Sequence, residues 1–159
     1  MIVKTDKNIY INVETTFEKD HYKTSAYSLE GETLGYASFH KLKEDEVWLY
    51  QVATYENYRN NGIGSVLLDM VSYWSAVLNC NHIAGKFSPS SEHVEEFYAK
   101  NGYDIVQKEY YLRLEKTIEK DNTIKDIQNK YKAIPTISQN KTAEIKKIVN
   151  NNTSQLKVL

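Results

Sequence analysis

From Ile63 to Leu78 the apolar residues Ile63, Val66, Leu67, Met70, Val71, Trp74, Val77 and Leu78 fall three and four apart, the period of a helix with one buried face. The flanking segments read differently. Upstream, Ile9 to Val13, Tyr22 to Leu29 and Leu34 to Leu42 are strand-like runs, the last two joined by Glu30-Gly31-Glu32. Connections of hairpin length predict an antiparallel meander. Glu44-Asp45-Glu46 then leads into Val47-Trp48-Leu49-Tyr50-Gln51-Val52-Ala53, an almost unbroken apolar run expected as a central strand covered on both faces. Downstream, Asn79-Cys80-Asn81 offers the helix a cap and His82 to Phe87 a further strand, so that strand, helix and strand make a parallel crossover. Ser88-Pro89 predicts the start of a short helix with Val94, Phe97 and Tyr98 on its buried stripe and Gly102 at its end. Ile105 to Leu114 is expected as the last strand region. Beyond it, polar helices are expected over Asp121 to Tyr131 and Thr142 to Asn150, either side of Pro135, the first with a narrow docking stripe of Ile124, Ile127 and Tyr131.

Charge divides at the same boundary. Residues 1–116 carry 12 Lys and Arg against 17 Asp and Glu, net −5, and residues 117–159 carry 8 against 4, net +4, within a chain of 159 residues and formal charge −1. All six glycines and both tryptophans fall in the first part. The chain therefore reads as one α/β domain, 1–116, followed by a basic C-terminal extension, 117–159, helical or partly disordered. An acidic body is poorly suited to neutralising phosphates, and the 13 tyrosines form no array at fixed spacing, so no nucleic-acid partner is expected and basic acceptors fit better. The longest hydrophobic segment, Val66 to Leu78, is interrupted by Asp69, Ser72 and Ser75 and is too short to span a bilayer, so no membrane partner is expected either. With no uninterrupted apolar stretch at the N-terminus, a cytoplasmic location is the expectation. Cys80 stands alone, and His21, His40, His82 and His93 show no ligand spacing, so neither an intrachain disulfide nor a metal site is expected.

The candidate chemistry lies between the central strand and the long helix, in Arg59-Asn60-Asn61-Gly62-Ile63-Gly64-Ser65. A helix N-terminus leaves backbone N–H groups unpaired and carries partial positive charge, which suits a phosphate or pyrophosphate. Glycines at 62 and 64 allow close approach of the backbone, and Arg59, one of only two arginines, brings a planar fork of fixed charge. A dinucleotide fingerprint needs a third glycine where Leu67 stands, and a Walker A loop needs a Gly-Lys-Ser/Thr that is absent. A tight strand-to-helix turn with no ligand is the competing reading of this segment.

Two segments together resemble the GNAT superfamily of N-acetyltransferases. Val52 to Gly64 resembles its acetyl-CoA motif, Arg/Gln-x-x-Gly-x-Gly/Ala, and Phe97-Tyr98-Ala99-Lys100-Asn101-Gly102-Tyr103 resembles its second motif, in the same order and separation. The resemblance covers residues 33 to 116. It implies a mixed, mostly antiparallel sheet with splayed central parallel strands and flanking helices, acetyl-CoA as cosubstrate and a primary amine as acceptor. It also implies a strand bulge that frees an N–H near Val52 for the thioester carbonyl. By the same resemblance, Val52, Ala53 and Thr54 line the pantetheine and acetyl group, and Arg59, Asn60, Asn61, Gly62, Ile63, Gly64 and Ser65 cradle the pyrophosphate. Tyr98 matches the tyrosine near the coenzyme sulfur, the catalytic residue that would protonate the leaving thiolate; its competing role is a core aromatic.

The chain departs from the family in two places. Ser91 stands where many members carry Asn. Only Thr15 to His21 separate the first two strands, so the usual first helix pair is lacking and the acceptor side needs another wall. The extension is expected to supply that wall, in its own chain or in a homodimer mate. Glu46, Tyr50, Gln51, His40 and Glu56 are all candidates for the general base, and the sequence singles out none. The alternative to an enzyme is a module that keeps the coenzyme cleft or binds a partner without catalysis.

Overall fold

The computed structural model describes residues 1–88 and 92–139, in the element order β1 (Ile2–Lys4), β2 (Tyr10–Glu18), β3 (His21–Tyr27), β4 (Thr33–Lys43), β5 (Glu46–Thr54), α1 (Ile63–Val77), β6 (His82–Phe87), α2 (Glu92–Lys100), β7 (Asp104–Gln107), β8 (Leu112–Thr117), α3 (Lys120–Tyr131) and β9 (Ile137–Gln139). The strands form one sheet in the order β1-β2-β3-β4-β5-β6-β8-β7, with β9 beside β2. Pairing is antiparallel except between β5 and β6 and between β2 and β9. This is the mixed α/β sheet expected from the sequence, with the parallel crossover β5-α1-β6 at its centre.

Strand β2 extends further than the apolar run Ile9 to Val13 because its pairing with β3 continues through Thr15, Thr16 and Phe17 to Glu18. It turns into β3 through Lys19 and Asp20, both at positive φ (50° and 65°), the geometry of a two-residue hairpin. No helix stands between these strands. Ile105 to Leu114 is two strands rather than one, β7 and β8, joined by a turn in which Lys108 N–H donates to Tyr111 O at 2.9 Å. The short β1, three residues with one buried, carries too little pattern to be read from sequence. The expected start of α2 at Ser88-Pro89 runs into residues outside those described.

One face of the sheet is the core. Ile11 and Val13, Ala26, Ala37 and Phe39, Val47 and Leu49, Ile83, and Leu114 come inward from successive strands and form one cluster with the apolar residues of α1. The indole N–H of Trp74 reaches through this core to Thr15 Oγ1 at 3.1 Å, and Thr15 in turn donates to Thr24 Oγ1 at 3.2 Å, so these three buried groups are paired, whereas the buried Tyr103 hydroxyl has no hydrogen-bond partner among the described residues. Helix α1 ends with Asn79 at φ 62°, the left-handed residue that stops the helix.

The extension folds onto the body as far as Gln139. Glu119 caps α3 by accepting from Asp121 and Asn122 N–H (3.2 and 2.8 Å), and the helix lies on α1 with Ile127 buried and Ile124 and Tyr131 packed against the core. Lys130 Nζ pairs with Asp69 of α1 at 2.7 Å, and Tyr131 donates its hydroxyl to the same carboxylate. Strand β9 completes the free edge of β2. Residues 117–139 thus lie on the α1 side, and among the described residues no helix covers the other face of the sheet; the expected helix Thr142 to Asn150 lies outside the described residues.

Candidate active site

Strand β5 makes the cleft. Phe39 stands opposite Leu49 and Ser38 opposite Gln51, so Tyr50 has no partner on β4 and forms a bulge. A bulge takes one residue out of the ladder and re-aims its backbone N–H. On its other side β5 pairs β6 from Glu46↔His82 only as far as Leu49↔Gly85, although β5 continues to Thr54 and β6 to Phe87. Gly85 allows the last close approach: a Cβ there would meet Leu49 O at 2.8 Å. Beyond that point the parallel strands part, and half-buried Val52, Ala53 and Thr54 line the β5 side of the gap. The bulge lies at Tyr50, two residues before the Val52 expected from the sequence.

After Thr54 the chain passes through a 3-10 turn, Glu56–Tyr58, into the elbow before α1. Arg59 Nε donates to Thr54 O at 3.3 Å, which ties the elbow to the end of β5 while the guanidinium stays exposed. Asn60 takes a positive φ of 66°, and Asn61 Nδ2 donates to Tyr58 O at 3.3 Å. Gly62 is the N-cap of α1 with φ 81° and no side chain caps the helix; the first bond of its ladder is Val66 N–H to Gly62 O at 3.3 Å. Among the described residues no acceptor of the chain pairs the N–H groups of Ile63, Gly64 and Ser65. The side chains of Ile63 and Ser65 are buried, so what these positions offer a ligand is backbone. Three free donors and an exposed guanidinium make an anion site of the kind a phosphate or pyrophosphate takes.

The two glycines have a further reason that the sequence does not reveal. A Cβ on Gly62 would run into Asp6 Oδ1 and sit 3.1 Å from Thr5 Cβ, and one on Gly64 would lie 2.8 Å from Phe97 Cζ. They admit the β1–β2 turn and helix α2 against the elbow, in addition to any ligand.

Tyr98 packs from α2 against Phe87 at the end of β6. Its ring meets Phe87 at 5.5 Å, Phe97 at 5.2 Å and Tyr103 at 5.7 Å, and it is 8% exposed. Burial pushes its phenol up to about 12. The end of α2 is held by Lys116, whose Nζ donates to Asn101 O at 2.9 Å and Ser72 Oγ at 3.2 Å; burial holds this ammonium below the usual lysine value.

The open face carries the remaining polar groups. His21, His40 and Trp48 stand side by side across β3, β4 and β5, and the ring of the bulge residue Tyr50 stacks on His40 at 4.7 Å and lies 5.6 Å from His21. Arg113 lies over Trp48 at 5.7 Å and pairs with Glu115 at 2.7 Å and Glu46 at 3.8 Å, and Glu46 also meets His82 at 3.7 Å. Of the base candidates, Glu46 is thus buried between the Arg113 guanidinium and the His82 imidazole, while Glu56 is exposed in the elbow turn.

The sequence model of the Acetyltransferase (GNAT) family matches residues 4–103. Among solved structures, a Bacillus subtilis acetyltransferase in complex with CoA is 16% identical with a TM-score of 0.60, over 69% of this chain and 99% of that one. The PaiA N-acetyltransferase of Thermoplasma acidophilum in complex with coenzyme A is 16% identical with a TM-score of 0.58, over 62% of each chain. A GNAT family acetyltransferase from Elizabethkingia anophelis with acetyl-CoA bound is 15% identical with a TM-score of 0.55, over 62% of this chain and 77% of that one. No curated protein matches the chain. The family match spans more than half of the sequence and takes in the meander, the bulged strand, the elbow and both motif helices, and the chain belongs to the GNAT family of acetyltransferases.

Proposed function

We propose that the chain transfers an acetyl group from acetyl-CoA to a primary amine by direct attack, with no covalent enzyme intermediate. The observation that carries this reading is the coincidence of the Tyr50 bulge with the point where β5 and β6 part, which supports a strand N–H turned from the ladder toward the gap. In this reading the N–H groups of Ile63, Gly64 and Ser65, with Arg59, Asn60, Asn61 and Gly62 around them, hold the pyrophosphate. Val52, Ala53 and Thr54 flank the pantetheine. The strand N–H at the bulge donates to the thioester oxygen as it becomes an oxyanion, a fixed dipole aimed at developing charge.

Tyr98 faces the leaving sulfur. With its phenol near 12, complete transfer of its proton to a thiolate whose acid lies at about 8.5 is uphill, so its contribution is a hydrogen bond to the departing sulfur from a group that stays protonated throughout the working range. The activity resides in residues 1–116, with 117–159 as its extension. Release of free coenzyme A thiol from acetyl-CoA, followed against a panel of small amines and basic peptides, tests the reading. Amine-dependent release is the expected result, and binding of coenzyme A without release would make the chain a non-catalytic coenzyme-binding module.

A further inference from the structure

On the open face, at the bulge that opens the cleft, a histidine and a tyrosine ring are stacked. His40 stands on β4 with Trp48 as its register partner on β5, and His21 is its partner on β3 at 5.4 Å between rings. Tyr50, the residue left unpaired by the bulge, lies on the His40 imidazole with the planes 21° apart. His40 is half-buried and its Nδ1 is shut from solvent without a hydrogen-bond partner among the described residues. The imidazole therefore exchanges protons through Nε2. Glu46, the acidic alternative on this face, is held by Arg113 and His82.

We propose that His40 takes the proton from the acceptor amine, which reaches the thioester across the open face of the sheet beside the Tyr50 bulge. The inference rests on the acetyl-transfer reading above. An acceptor arriving as an ammonium gives one N–H proton to His40 Nε2, leaving a neutral amine and an imidazolium. The amine lone pair then forms the C–N bond at the thioester carbon and the C–S bond breaks. The second proton lost by nitrogen goes to the departing thiolate, and the imidazolium returns its own to solvent. One proton is released for each amide formed, so the step balances without another reactant.

The groups facing His40 are consistent with a base that is neutral near pH 7. His21 on β3 is the nearest titratable neighbour, Tyr50 and Trp48 face it from β5, and Glu18 stands opposite His21 on β2. Burial first and His21 second hold the His40 pKa below the ordinary histidine value. An imidazole that resists charging is available as a base down to lower pH.

The experiment is the pH dependence of kcat/KM for amine-dependent thiol release in wild type, His40→Gln and His21→Gln, with coenzyme A affinity measured by calorimetry on each. Wild type is expected to lose activity as pH falls through the His40 pKa. His40→Gln should lower kcat about a hundredfold and abolish that acid limb while coenzyme A affinity is unchanged. His21→Gln should keep the limb and move it to higher pH, because His21 is one of the two causes that lower the His40 pKa. A His40→Phe variant, which preserves a ring on Tyr50, should remain folded and as slow as His40→Gln. Near-wild-type turnover with an intact acid limb in His40→Gln overturns the inference while the acetyl-transfer reading stands. Wild type that releases no thiol with any amine overturns that reading, and the inference with it.

Discussion

Arg59 is the one side chain of the elbow whose charge is exposed to a ligand while its Nε is already anchored, to Thr54 O at 3.3 Å. Arg59→Ala should therefore weaken coenzyme A binding about tenfold, a loss of about 1.4 kcal/mol, without changing the melting temperature; calorimetry and thermal unfolding on the same preparation check both halves. Gly62 behaves differently, because a side chain there meets Thr5 and Asp6 and is forced to φ 81°. Gly62→Ala should cost about 1–3 kcal/mol of stability, seen as a lower urea midpoint, and any loss of ligand affinity would come together with it. Tyr98→Phe should lower kcat about tenfold or more and leave coenzyme A affinity nearly unchanged, since the ring still packs on Phe87 and Tyr103. Because burial pushes the Tyr98 phenol up to about 12, the wild-type rate should show no tyrosine limb between pH 8 and 10.5. A fall through pH 10 that disappears in Tyr98→Phe would contradict this assignment.

At the level of elements, the period of α1 and the strand runs before it were legible in the spacing of their apolar residues, although α1 is buried nearly all round, with Ser65, Leu68, Ser72, Tyr73, Ser75 and Ala76 inside as well. The bulge was not legible as such. In Val47 to Ala53 both faces of the strand carry apolar residues, and the mark of the slip is a single polar residue, Gln51, which is exposed where Val47 and Leu49 would place an inward position; the inward set resumes at Val52. The elbow motif was legible in its glycines and arginine, but their contacts with Thr5, Asp6 and Phe97 depend on elements distant in sequence. The same limit applies to His40 and His21, which meet only because β3 and β4 pair in one register.

The extension is the element most open to direct test. Its helix stripe packs on α1 through Ile127, which is 7% exposed, so Ile127→Ala should cost about 2–4 kcal/mol in urea unfolding. Unchanged stability would mean that α3 adds nothing to the body in solution.

For the whole molecule, the acidic body and the basic extension meet through particular pairs, Lys130 with Asp69 at 2.7 Å being the clearest. No helix of the described residues is long and apolar enough to cross a membrane. Alkaline stability follows from the buried tyrosines. Tyr98 and Tyr103 are both held above the usual phenol value by burial, whereas in the unfolded chain they ionise at about 10. Above that pH the unfolded chain binds fewer protons than the native one, so their contribution is fully present below pH 10 and is lost as pH rises. Lys116, held low by burial, acts in the opposite sense below its ordinary value of 10.5, so the effect is cleanest above it. Tyr131 is raised as well, by burial first and Asp69 second, so from there toward pH 12 the three phenols should remove about 4 kcal/mol per pH unit, measured as a falling urea midpoint. A midpoint independent of pH in that window would contradict the burial of these hydroxyls.

The most direct measurement for the molecule is the stopped-assay count of free coenzyme A thiol from acetyl-CoA, with and without an amine, on the full chain. The uncapped N-terminus of α1, the bulge at Tyr50 and the parting of β5 from β6 predict thiol release that requires the amine and equals the amide formed. Absence of release with every amine and basic peptide tested, from a folded chain shown to bind coenzyme A, would contradict acetyl transfer as its function.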